Sequence, residues 1–443
     1  MDRGGKETMN LPFIPRTLLL SLTFLLAVLL LPPVHTYLFP AILVLFLLLL
    51  FNSRKETGKE AQYDRYLLGL LLLTLVMAKL LFPDLDQLTL IVRTSSLSAF
   101  VLLHAVLLIG PWSRFSAAIR KLYFYRRHLG VAVLLLGSLH AALIFSRYFN
   151  YSVRDTFGSI FTVYGFTALF IFLWLGVTSW DEIQKRVSTR WWNIVHGLLM
   201  ILYVGLAMYL YALHKNETGI IAHVFVLGLF LLFWIIVAPY SLIRKVLATY
   251  VFGWKQLHLL IYVAYISILL HAWLGFFTLQ NSIIKGLFWF SPILIFGSHA
   301  LGWLYRWRKD QQIYGEIREI NQQVIEGDKT FIGVARQDDL PEGKGKKVYV
   351  NQQPVALFRQ GKEIYALSSV CAHQKGPLDQ GRLVQGVVEC PWHYWTYDIT
   401  TGSFLGKENF CLPRYEVRVK KGVVLVSREP VNKEKVKHCS FFI

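Results

Sequence analysis

Cys371, His373, Cys390 and His393 stand in the segment CAHQKGPLDQGRLVQGVVECPWH as C-x-H, sixteen residues, then C-x-x-H. Two thiolates and two imidazoles could hold a structural zinc ion. Zinc modules more often open with a paired C-x-x-C, whereas here Cys and His alternate twice. One Cys and one His on each of two loops also suits a [2Fe–2S] cluster with Cys on one iron and His on the other. Of the four cysteines, the remaining two, Cys411 and Cys439, offer no disulfide framework, which fits a reducing compartment for this part of the chain.

A second set of histidines lies in apolar sequence, where an imidazole is expensive and needs a reason. His35, His214 and His223 fall at the ends of apolar runs and suit the interface, and His104 and His299 are mid-run but isolated. His140, His196, His258 and His271 have more context, in YRRHLGVAVLLLGSLHAALIF, VTSWDEIQKRVSTRWWNIVH and FGWKQLHLLIYVAYISILLH. His258 and His271 are thirteen residues apart, and thirteen residues of helix rise about 20 Å. Such a pair sits at the two faces of a membrane, which suits two stacked hemes.

The elements that must position these groups differ along the chain. Of 443 residues, 55% are hydrophobic and only 16% charged, against about a quarter charged in a soluble protein. The apolar residues concentrate before residue 305, in ten runs near 17–31, 37–51, 66–82, 90–110, 129–149, 160–180, 193–213, 220–240, 256–279 and 284–304. Lys and Arg gather in alternate loops, at Arg54 and Lys55, Arg114 to Arg127, Lys185 to Arg190, Arg244 to Lys255, and Arg306 to Lys309. Ten spans with both termini cytoplasmic satisfy the positive-inside rule at every loop. That distribution accounts for the net charge of +19 without nucleic acid as a partner. The first run lacks a small-residue cleavage site and reads as an uncleaved span.

Shifting the chain by 62 residues lays Ser179 on Ser241, Trp192 on Trp254 and His196 on His258, which marks an internal repeat. After Arg306 the chain turns polar, with alternating strands in VYVNQQPVALFRQGKEIYALSS and YEVRVKKGVVLVS. The expected fold is a polytopic α-helical membrane bundle of about ten spans followed by a small all-β domain. Its expected bounds are 1–88 for N-terminal spans, 89–305 for the histidine-bearing membrane domain, 306–327 for a linker, 328–430 for the β domain and 431–443 for a tail.

The C-terminal segment, with GPL after its first ligand pair and CPWH followed by YDITTG at its second, strongly resembles the Rieske family over about residues 328 to 430. The resemblance implies a [2Fe–2S] cluster with Cys371 and Cys390 on one iron and His373 and His393 on the other. High-potential members carry an extra disulfide-forming cysteine in each loop, and Gly376 and Trp392 occupy those places here. They also place a serine two residues after the second His, where Trp395 stands, while the following tyrosine is kept as Tyr397. These departures imply a ferredoxin-type, lower-potential cluster near −150 mV, the low end of the range for His-ligated clusters (about −150 to +300 mV). Tyr394, replacing a small residue, is expected to alter the local loop.

RRHLG followed by LH, and TS followed by RWWNIVH, resemble the ferric reductase-like transmembrane family over about residues 90 to 275. The resemblance implies b-type heme and places His140 and His196 on heme ligands. The family's third histidine falls on Tyr209, and the repeat supplies His271 after His258 instead. The implied pairing is an outer heme on His140 and His271 and an inner heme on His196 and His258, with His128 or His104 as substitutes for the inner pair. No G-x-G-x-x-G opens a helix after a strand, so the chain is not expected to take hydride from a pyridine nucleotide itself. Together these features imply an integral membrane electron carrier whose N-terminus and Rieske domain face the cytoplasm. It would exchange electrons with a cytoplasmic reductase or ferredoxin-like protein. Electrons could run outward to a metal, quinone, oxygen or partner protein, or inward from quinol. The alternative is a Rieske redox sensor anchored on a non-heme scaffold or transporter.

Overall fold

The computed structural model describes residues 58–120, 122–178, 259–275, 282–372, 375–392, 394–406, 410–432 and 436. Six of the ten expected runs fall on described helices, and those at 17–31, 37–51, 193–213 and 220–240 lie outside the described residues. The helices are α1 (Gly58–Leu81), α2 (Gln87–Trp112), α3 (Arg126–Arg147), α4 (Ile160–Thr178), α5 (Leu260–Gly275) and α6 (Ser282–Ile320). Among the described residues, α2 and α3 are long and apolar enough to cross a bilayer. On α1, Leu70, Leu73, Val76, Met77 and Leu80 point outward, an apolar surface that lipid tails would cover.

The chain divides into two compact units, the first being Met1–Val106 with Arg127–Gly286. In it, Leu68 of α1, Ile91 and Val92 of α2, and Leu139, Ala142 and Leu143 of α3 form one buried cluster. Helices α4 and α5 approach closely at two glycines. A Cβ on Gly165 would lie 2.8 Å from the His271 ring, and one on Gly275 would lie 2.8 Å from the Phe161 ring. Water-driven burial is absent between helices in lipid, so close approach at small residues supplies the packing.

The second unit is Leu107–Arg126 with Leu287–Ile443. Near its start Pro111 lies within the last turn of α2. Having no N–H, it leaves the Leu107 carbonyl without its usual donor four residues on. His299 of α6 donates its Nε2–H to that carbonyl at 3.1 Å, and the Trp112 indole donates to Ser298 Oγ at 3.0 Å. His299 is thus explained by backbone satisfaction.

Helix α6 carries the chain out of the apolar region without a break. The segment expected to be a linker from 306 is helical through Ile320, and strand β1 (Gln323–Glu326) follows almost at once. The signal is an apolar stripe at Ile313, Ile317 and Ile320, spaced i, i+4, i+7. Ile313 is buried, and Ile317 packs into the core of the β domain.

That domain contains β2 (Lys329–Arg336), β3 (Gly345–Val350), β4 (Gln353–Gln360), β5 (Glu363–Ser368), β6 (Arg382–Val384), β7 (Val387–Glu389), β8 (Thr396–Asp398), β9 (Arg414–Tyr415), β10 (Val417–Lys420) and β11 (Val423–Ser427). They form three sheets in the orders β1-β2-β11-β10, β3-β4-β5-β9 and β6-β7-β8, with antiparallel ladders throughout. Strand β4 is the shared wall. Its side chains alternate with period two, so Val355 and Leu357 enter one core with Val334, Val424 and Val426. Ala356 and Phe358 enter the other, with Cys371, Cys390 and Tyr397. The second core therefore rests its cysteines against a sheet that the first core holds rigid.

Candidate functional site

Two loops of six residues, 371–376 and 390–395, carry the cysteines, and they are built alike. The first is closed by the Val370–Pro377 bridge and the second by the Glu389–Thr396 pair at the ends of β7 and β8. In each, the cysteine N–H donates to the carbonyl of the sixth residue, Cys371 to Gly376 at 2.9 Å and Cys390 to Trp395 at 2.8 Å. In each, the fifth residue's N–H donates back to the cysteine carbonyl, Lys375 and Tyr394 both at 3.0 Å. That fifth residue is left-handed in both, with φ of 58° at Lys375 and 57° at Tyr394. The bulk of Tyr394, expected to change the loop, leaves its backbone matching the first one, because the ring turns outward and is 44% exposed.

Cys371 and Cys390 are buried and both are free thiols. Gly376 is where the two loops meet. A Cβ there would lie 2.7 Å from Cys390 Sγ and 3.2 Å from the Trp392 ring, so only glycine fits. The Tyr397 hydroxyl accepts the Ala372 N–H at 3.2 Å, which turns its own proton toward Cys371 Sγ, 3.1 Å away. Burial first, and then the adjacent Cys371 sulfur, push the Tyr397 phenol well above its usual range and keep it a donor. Beyond β8, Asp398 Oδ1 accepts from the N–H groups of Thr400 and Thr401 at 2.9 and 2.7 Å. Burial works against the charge, but these bonds and the threonine hydroxyls hold the carboxyl below its usual range. His373 and His393 lie outside the described residues.

In the first unit the structure brings His140 of α3 and His271 of α5 together, with ring centroids 6.2 Å apart and planes at 81°. Each donates its Nδ1–H to a backbone carbonyl, His140 to Val92 at 3.2 Å and His271 to Phe161 at 2.6 Å. These bonds fix the tautomer and leave Nε2 of each ring as the acceptor nitrogen. His104 is different. Its Nδ1 meets the Phe100 carbonyl at 2.8 Å and its Nε2 meets the Tyr265 hydroxyl at 3.1 Å, so both nitrogens are engaged in helix packing. His128 Nδ1 lies 3.1 Å from Asp64 Oδ1, a largely buried pair. His196 and His258 lie outside the described residues.

Residues 330–416 match the Rieske [2Fe-2S] domain, and residues 94–207 match the ferric reductase like transmembrane component. The ferredoxin component of an alkene monooxygenase system from Xanthobacter autotrophicus is 31% identical over 24% of this chain and 88% of its own length. The chain belongs to the Rieske [2Fe-2S] family. The ferredoxin component of the naphthalene 1,2-dioxygenase/salicylate 5-hydroxylase systems from Ralstonia is 36% identical over 17% of this chain and 74% of its own. Among solved structures, the ferredoxin of carbazole 1,9a-dioxygenase from Nocardioides aromaticivorans is 28% identical over 22% of this chain and 98% of its own, with a TM-score of 0.22.

The Rieske domain is thus an electron-transfer module of the ferredoxin type, joined to a ferric reductase-like transmembrane domain. Its buried, free cysteines, its paired loops and the glycine held against Cys390 Sγ suit a [2Fe–2S] cluster. Where high-potential members have a serine, the Trp395 ring stacks on Phe404 at 4.1 Å, so that position gives no hydroxyl to the cluster. One expectation needs correction. Cys411 is disulfide-bonded, so the cysteines no longer argue for a reducing compartment. Sequence reasoning also missed Gly165 and Pro111. The signal for Pro111 was a proline four residues after a carbonyl within a span.

Proposed function

We propose that the chain is a membrane electron-transfer protein. It relays single electrons between the cluster of its Rieske domain and b-type hemes held in its ferric reductase-like domain, toward a metal, quinone, oxygen or protein acceptor. The observation that carries this reading is the His140–His271 pair in a chain that also bears a Rieske domain. The two rings lie side by side, with centroids 6.2 Å apart, and would hold a heme through their Nε2 nitrogens. Both Nδ1–H groups are already committed to carbonyls, the outer support that ligating histidines receive in metal sites.

When bound, the cluster and hemes supply one-electron redox couples, and the protein supplies their places. Cys371, His373, Cys390 and His393 would hold the cluster, His140 and His271 one heme, and His196 and His258 a second. Gly165 makes room for the His271 ring beside α4. Tyr397 directs its proton to Cys371 Sγ, where it would help the cluster accept negative charge on reduction. Ten spans with both termini cytoplasmic would place the Rieske domain on the inner face, where a cytoplasmic reductase or ferredoxin-like protein is its partner. The basic loops support that orientation.

The test is a redox-poised optical and EPR titration of detergent-purified protein. Separate heme bands and a His-ligated [2Fe–2S] signal are expected, with the heme bands reduced in His140→Ala and His271→Ala while the cluster signal persists. A protein with the cluster signal and no heme bands would leave the anchored redox sensor as the better reading.

A further inference from the structure

The aromatic residue inside the second cluster loop reaches a specific place on the same chain. Trp392 lies between Cys390 and His393, and its ring packs beside Gly376 of the first loop. The same indole stacks on Tyr123, with centroids 4.1 Å apart and planes at 15°. Tyr123 belongs to a short 3-10 turn, Tyr123–Tyr125, that runs directly into α3, the helix carrying His140. The Arg126 guanidinium lies 5.8 Å from the Tyr123 ring, adding a cation to the seat.

We infer that the cluster tip is docked on its own chain, with Trp392 as the plug and the loop around Tyr123 as the seat. The inference deepens the reading above, because it names the surface of its own compact unit, the Tyr123 loop, on which the cluster tip rests. It stands on contacts that need no heme.

A second set of contacts holds the domain in the pose that this docking requires. Tyr314 of α6 stacks on Tyr349 of β3 at 4.5 Å and 15°. Lys347 pairs with Asp310 at 2.9 Å, and Lys346 pairs with Glu316 at 3.1 Å. Lys347 also lies 4.7 Å from the Tyr349 ring. With α6 continuous to Ile320 and β1 starting at Gln323, the domain is clamped at its stalk and at its tip. It is a fixed head, and the Trp392 side of its cluster is taken. Tyr394, 44% exposed on the same loop, marks the flank left open to a separate redox protein.

The test uses the full-length protein with p-benzoylphenylalanine at position 123, irradiated and mapped by mass spectrometry, with the cluster's EPR signal as the folding control. An intrachain cross-link to the peptide containing residues 390–395 is expected. Cross-links confined to other segments, with the EPR signal intact, would overturn the docking. A second arm uses Tyr123→Leu and a soluble one-electron acceptor protein. Oxidation of the reduced cluster is expected to quicken by about fivefold, the shift that losing one aromatic stack allows, with an unchanged EPR line shape. An unchanged rate would overturn the proposal. Loss of heme bands in the unsubstituted protein would overturn the heme reading and leave this one standing.

Discussion

Replacing Tyr397 by Phe removes one hydroxyl, and with it the contact to Cys371 Sγ and the acceptor of the Ala372 N–H. The hydroxyl sits 3.1 Å from Cys371 Sγ, and the side chain is fully buried, so no water replaces it. A hydrogen bond to a charged group contributes about 1.5–3 kcal/mol. The reduced cluster carries one more negative charge than the oxidised one, so the bond strengthens on reduction. If about a third to a half of it is that difference, reduction loses about 1 kcal/mol of stabilisation. For a one-electron couple about 1.36 kcal/mol corresponds to 59 mV, so the potential should fall by about 40 mV. The assay is an EPR-monitored redox titration of the full-length variant beside the unsubstituted protein. Because burial keeps the phenol protonated, the difference should be constant across about pH 6 to 9. A shift below about 10 mV, or an upward one, would refute the claim that this hydroxyl tunes the cluster.

Gly376→Ala puts a methyl 2.7 Å from Cys390 Sγ, an overpacking that costs about 1–3 kcal/mol, and cluster content measured by visible absorbance should drop while heme bands remain. Gly165→Ala crowds the His271 ring at 2.8 Å and should reduce or shift the heme bands with an unchanged cluster EPR signal. His299→Leu orphans the Leu107 carbonyl, costing about 1–3 kcal/mol. Thermal unfolding of the detergent-purified protein should show that loss, and Pro111→Ala, which restores the helical N–H, should recover part of it without affecting heme.

The cluster segment was legible because its residues lie close in sequence, and spacing alone groups Cys371 with Cys390. The meeting of His140 and His271 was legible for another reason, since the repeat at His196 and His258 points to a partner thirteen residues on. What stayed hidden depends on contacts between segments far apart. His299 reads as an unexplained polar residue until Pro111 is seen to free the carbonyl it meets. Trp392 reads as a missing disulfide cysteine until Tyr123 is seen beneath it. The helix in the linker stayed hidden because charged residues in WRKDQQIYGEIREI conceal the stripe of Ile313, Ile317 and Ile320, of which Ile317 packs into the β-domain core. The disulfide at Cys411 had no sequence signal at all, because a pair of distant cysteines without a repeating framework carries none.

The relay itself is tested most directly in sealed vesicles holding the purified protein in one orientation. The cluster is reduced from the side bearing the Rieske domain, and a membrane-impermeant acceptor is placed on the other. The account expects heme bands to rise and the acceptor to be reduced across the membrane, with both lost in His140→Ala and His271→Ala. A cluster that is reoxidised only by acceptors on its own side, with heme bands unmoved, would contradict it.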